Sequence, residues 1–147
     1  MTREERAREN FLKGYNCAQA VLLAFADEVG MDEETLARLA APFGGGMGRM
    51  REVCGAVSGM LMADGFLNGY SDPAATTEKK ETYARVQMLA ARFREEFGSI
   101  ICREIVQEKV DSGVTPTERT PEFYKKRPCA EYVALAAKIL DEELKKC

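Results

Sequence analysis

The chain has 147 residues and a formal net charge of −3, from 24 acidic and 21 basic side chains spread along its length, and it contains no histidine. A chain of this size can bury roughly 68–70% of the surface its unfolded form exposes, so a single domain over 1–147 is expected to hold together without disulfide staples. Without a basic block it offers no electrostatic footprint for nucleic acid, and without histidine it lacks both the usual neutral-pH general base and the commonest nitrogen metal ligand. The charged opening Met1-Thr2-Arg3-Glu4-Glu5-Arg6 leads into no signal-type apolar core, and the longest apolar stretch, Cys17 to Ala26, is interrupted by Gln19. A cytoplasmic protein with no membrane segment is therefore expected. In a reducing compartment its five cysteines read as metal ligands or redox thiols rather than as a disulfide framework.

Helical periodicity runs almost throughout. Thr2 with Glu5 offers a capping box for a first helix, near 3–29, whose apolar face is Phe11, Tyr15, Ala18, Leu22, Phe25 and Val29. Gly30 ends it, and a shorter helix follows near 33–41. A third is expected near 52–68, after the glycine-rich segment, and a fourth near 73–97, with Asp72 as cap, Pro73 in the first turn and Tyr83, Val86, Ala90, Phe93 and Phe97 on its buried face. Gly98-Ser99 opens a fifth, near 99–110, and a long connection from Gly113 to Pro128 leads to the last, near 129–145. No period-two alternation is sustained anywhere. The expected fold is all-α, a bundle of five main helices and one short one, and its amphipathic faces are compatible with a homodimer.

Four cysteines fall on these helices at telling places. Cys102 lies in the first turn after Ser99, where unpaired N–H groups and the positive end of the helix dipole favour a thiolate. Cys129 follows Pro128, a good first helical residue, with Lys125, Lys126 and Arg127 just upstream, so its ionised form is favoured twice. Cys54 stands where the third helix begins. For Cys17, Gly14-Tyr15-Asn16 could start a new helix capped by Asn16, but the unbroken apolar period favours a continuous one. Each cysteine has apolar neighbours at helical spacing, which turns it towards the core. One buried thiol alone would read as a small core filler; four at helix openings read as a site. Cys147, the terminal residue after Lys145-Lys146, reads as a frayed free thiol.

The segment Gly44-Gly45-Gly46-Met47-Gly48 admits two readings. It can present backbone N–H groups to an anion or cofactor, or it can be a tight connection between closely packed helices. Gly55 and Gly59 likewise mark close approach by a helix or a ligand. Arg49 and Arg51 are candidate anion or substrate contacts, with solvated loop arginines as the ordinary alternative.

The run Gly14-Tyr15-Asn16-Cys17-Ala18-Gln19, then Phe43 to Gly48 with Cys54-Gly55-Ala56-Val57-Ser58-Gly59, then Phe97-Gly98-Ser99 with Cys102-Arg103-Glu104, and finally Cys129, resembles the C_GCAxxG_C_C family, described as redox-active. The central motif reads Cys54-Gly55-Ala56 where the family name has Gly-Cys-Ala. The resemblance implies a redox or metal-cluster role for Cys17, Cys54, Cys102 and Cys129, with no substrate attached. Two functions then stand side by side. In one, a pair of thiols cycles to a disulfide while a partner protein or small molecule exchanges electrons; no Cys-x-x-Cys pair exists, so the fold must bring the pair together. In the other, four thiolates hold an iron-sulfur cluster or, second, zinc. A helical interaction protein with inert core cysteines is the third reading.

Overall fold

The structure is a computed structural model and describes residues 1–106 and 110–146. Among these residues the fold is all-α, with nine α-helices, six of them seven residues or longer, and one short 3-10 turn. Cys147 lies outside the described residues.

Thr2 caps α1 (Arg3–Leu12) with the capping box expected of Thr2 and Glu5. The expected continuous first helix is broken. Gly14 takes φ 110°, Asn16 is extended, and a new helix α2 (Cys17–Leu23) starts with a second capping box, in which the Asn16 side chain accepts from the Gln19 amide and the Gln19 side chain accepts from the Asn16 amide. The apolar period survives the break because α1 and α2 both pack on the last helix. A second break at Phe25 sets off α3 (Ala26–Val29), which Gly30 ends in the left-handed conformation. Next come α4 (Glu33–Ala40), capped by Asp32, and the 3-10 turn Ala41–Phe43.

The third expected helix starts later than the sequence suggests, as α5 (Gly55–Asn68), because residues 52–54 pair with 100–102 around a Val53–Ile101 bridge. Asp72 does not cap a helix at 73: its carboxylate accepts from the Ala74 amide, a local turn, and α6 (Thr76–Phe97) begins after it. The helix expected near 99–110 shrinks to α7 (Cys102–Ile105), and the part at 107–109 lies outside the described residues. Ser99 is not its cap, because its hydroxyl accepts from the Ile101 amide while residues 100–102 pair with 52–54. Within the long connection stands a helix the sequence pattern did not reveal, α8 (Pro121–Lys126), capped by Thr120. Finally α9 (Cys129–Lys145) matches its expected span.

The core forms around α2, whose Ala18, Ala20, Val21, Leu22 and Leu23 are all buried and which touches α1, α4, α5 and α9. Gly55 and Gly59 let α5 lie against it: a Cβ at Gly59 would come within 2.5 Å of the Ala18 carbonyl oxygen, and one at Gly55 within 3.0 Å of the Cys17 Cβ. The close approach is therefore helix on helix. The outer helix α6 is tied to the rest by the buried Asp64, which accepts from Arg85 Nε at 2.8 Å, and by Arg92, which pairs with Glu142 and Glu143 of α9. Among the described residues no helix is long and apolar enough to cross a membrane.

Candidate functional site

The fold carries four cysteines to one place. Cys17, Cys102 and Cys129 are the first residues of α2, α7 and α9, and Cys54 is the residue from which α5 springs. Two backbone devices set them. The α1–α2 break turns Cys17 towards α9, and a short antiparallel bridge between Val53 and Ile101 aligns the other two, with the Cys54 amide donating to Ile100 at 2.7 Å and the Cys102 amide to Glu52 at 2.6 Å. All four thiols line a single cavity of about 340 Å³. Cys54, Cys102 and Cys129 are only 3%, 6% and 8% exposed, and Cys17 is half-buried.

The thiols are not equivalent. Interaction with the neighbouring Cys129 sulfur pushes Cys17 well above its ordinary range, with burial adding to the effect. The same pairing draws Cys129 down; burial opposes it, and the charges of Arg127, Arg119 and Arg51 support it. Burial pushes Cys54 up to about 12, only partly offset by the amides of Ala56 and Val57. Burial also raises Cys102, against the pull of Arg51, whose guanidinium lies 3.9 Å from its sulfur. Cys129 is thus lowered in the expected direction, but by Cys17 and the arginines and not by its helix opening, and Cys54 and Cys102, also at helix openings, are raised. Helix ends contribute a partial charge, and in both places the loss of water outweighs it.

The glycine segment forms one wall. Gly45, Gly46, Met47, Gly48 and Arg49 all have φ between 56° and 70°, and Arg51 has φ 62°, giving a left-handed turn. Left-handed backbone costs a residue with a Cβ roughly 1–2 kcal/mol, so the glycines make the run tolerable while Met47, Arg49 and Arg51 are strained. The turn closes on itself: Met47, Arg49, Arg51 and Glu52 donate their amides to the carbonyls of Phe43, Gly44, Gly45 and Gly46. Gly44, Gly45, Gly46, Gly48 and Gly55 all line the cavity. Packing accounts for Gly44 and Gly46, since a Cβ would come within 2.5 Å of the Asn16 side chain at the first and 2.7 Å of the Cys102 Cβ at the second.

Arginines rim the space. Arg49 and Arg51, proposed from sequence as anion contacts, both line it and also anchor the long connection as a strap across the cavity. Arg49 donates to the Gly113 carbonyl and the Thr117 hydroxyl, and Arg51 Nε donates to the Asp111 carbonyl at 3.0 Å. From the strap itself come Arg119 and, next to α9, Arg127. Arg119 donates to the carbonyls of Phe11 and Tyr15 at 3.0 Å each and lies 4.2 Å from the Phe11 ring centroid. Sequence reasoning missed Arg119. It stands in a polar stretch, Thr115 to Arg119, whose only local signal is that of a loop.

Four thiols are the right number for a cluster or zinc. Among the described residues, however, no three cysteine, aspartate or glutamate side chains are arranged to hold a metal ion. The four thiols line one cavity without forming such a group.

The fold is thus a helical one that delivers four thiols from separate helix openings to one arginine-rimmed cavity. The chain belongs to the C_GCAxxG_C_C family: the family model, described as "Putative redox-active protein (C_GCAxxG_C_C)", matches residues 15–143. Comparison with curated proteins and with solved structures gives no match.

Proposed function

We propose that the protein performs thiol-disulfide exchange at the four-cysteine site, with Cys129 as the attacking thiolate and Cys17 as the thiol that resolves the intermediate. The observation that carries this reading is that Cys17 and Cys129, each the first residue of its helix, open on one cavity, where each acts on the ionisation of the other. The thiolate is the nucleophile in such chemistry, and Cys129 is the thiol whose surroundings favour it.

The step balances as follows. The Cys129 thiolate attacks one sulfur of a disulfide RSSR′, forming a Cys129–SR mixed disulfide and releasing R′S⁻. Cys17 gives up its proton, and its sulfur attacks Cys129, forming the Cys17–Cys129 disulfide and releasing RS⁻. One of the released thiolates takes the proton, so two protein sulfurs are oxidised by the two electrons that reduce the disulfide. Cys54 and Cys102 complete the lining of the site and, held as thiols, exchange more slowly.

The test mixes reduced protein with excess bis(2-hydroxyethyl) disulfide without oxygen and follows free thiols with time. The reading expects a fast phase consuming two thiols per chain, absent in Cys129→Ser and stopped at the mixed disulfide in Cys17→Ser. A fast phase that survives in Cys129→Ser would overturn it.

A further inference from the structure

Anionic surroundings are what a cationic cavity ordinarily supplies for itself; among the described residues this one has only the Asp111 carboxylate nearby. Arg51 is 5% exposed, and its side chain donates to the Asp111 carbonyl and the Cys102 sulfur. Arg119 is held by two carbonyls, the Tyr124 hydroxyl and aromatic faces. Among the described residues neither forms an ion pair with a carboxylate. The Asp111 carboxylate acts on both Arg49 and Arg51, but it is largely exposed and stands 3.8 Å from Arg49. A thiolate at Cys129 offsets one positive charge. Two guanidinium groups facing one buried space therefore retain charge that a bound anion would balance, since a buried charge without a counter-charge is unfavourable.

Size and access narrow the occupant. The proposed attacking thiol, Cys129, is buried and opens on this cavity, which favours a small disulfide over one on a folded protein surface. A volume of about 340 Å³ falls at the lower end of small-molecule sites. It is more than a lone inorganic oxyanion fills, and the apolar walls of Phe11, Ile105 and Val106 suit a carbon skeleton.

We infer that the cavity recognises a small organic molecule carrying a carboxylate, held by Arg51 and Arg119 with its reducible sulfur beside Cys129. The inference rests on the thiol-exchange reading for the word reducible, while the anion site stands on the arginines alone. Arg51 and Arg119 set the charge of the substrate, and the cavity sets its size.

The experiment uses three disulfides of similar size and different charge: the dianion dithiodiacetate, the neutral bis(2-hydroxyethyl) disulfide and the dication cystamine. Each rate of thiol loss is divided by the rate of the same disulfide with free 2-mercaptoethanol, which removes intrinsic reactivity. The anion is expected to lead the neutral probe by about tenfold or more, the effect of one charged hydrogen bond, and the dication to trail both. Arg51→Gln should erase most of that lead and Arg51→Lys should keep part of it. Binding of adipate, the non-reducible analogue of dithiodiacetate, is measured by calorimetry on wild type and Arg51→Gln, with inorganic phosphate at matched ionic strength as rival. Adipate binding that needs Arg51, without any disulfide being reduced, upholds the anion site and sinks the exchange reading. Equal normalised rates for the three probes overturn the inference, as does phosphate binding as tightly as adipate.

Discussion

The cavity has two ends built from the same ingredients with opposite results. At one end Cys17 and Cys129 open α2 and α9; at the other Cys54 and Cys102 stand at the openings of α5 and α7. Both pairs are sheltered from water. In the first pair each thiol acts on the ionisation of the other beside the charges of Arg127 and Arg119, and Cys129 is drawn down. The second pair is set by the Val53–Ile101 bridge, Cys54 facing Ile100 and Cys102 facing Glu52, and burial raises both thiols. A helix opening therefore does not by itself activate a thiol. A neighbouring thiol and nearby guanidinium charges do, because they act on the charged form at close range where water has been removed.

The sharpest way to break the comparison is to delete one sulfur from each end. Cys129→Ser is expected to slow disulfide consumption by about two orders of magnitude or more, and Cys54→Ser to leave it within a few-fold, measured by thiol loss in stopped flow. Alkylation by iodoacetamide near neutral pH, followed by peptide mass spectrometry, should label Cys129 at least about tenfold faster than Cys54, in line with their thiolate fractions. Replacing Arg127 by Gln should slow labelling of Cys129 by about threefold to tenfold while leaving Cys54 unchanged, since the guanidinium charge favours the first thiolate.

The two ends also set opposite slopes of stability against pH. The Cys54 proton is held more tightly in the folded chain, at about 12 against an ordinary 9.0, so its contribution is complete below the ordinary value and is lost as pH rises towards 12. Cys129 is shifted the other way, so its contribution is present above the ordinary value and is lost as pH falls through its folded value. Thermal melts as pH is raised from 9.0 towards 12 should show the wild type losing stability faster than Cys54→Ala; parallel curves would mean that burial at that end does not govern the thiol.

Much of the architecture was legible because it depends on local chemistry. The span of α9, the Thr2–Glu5 capping box and the stop at Gly30 all follow from residues within one turn of each other. The break before Cys17 was written in Gly14 and Asn16, yet the apolar period argued against it, since two helices packed on the same partner keep one common spacing. α7 was over-extended because pairing between residues 52–54 and 100–102 is a long-range event with no alternating pattern to announce it. The gathering of the four cysteines could be anticipated from their placement, and so could the arginines at 49 and 51. The thiol order could not. It depends on water lost at Cys54 and Cys102 and on Arg119, brought across from the strap by carbonyls of the α1–α2 connection.

The central claim is that Cys17 and Cys129 form the exchanging pair. Oxidation of the reduced chain by one equivalent of disulfide, followed by trapping of free thiols in acid and peptide mapping, tests it most directly. The account predicts a crosslinked peptide joining Cys17 to Cys129, with Cys54 and Cys102 recovered as trapped thiols. A crosslink joining Cys54 to Cys102, with Cys17 and Cys129 still free, would contradict it.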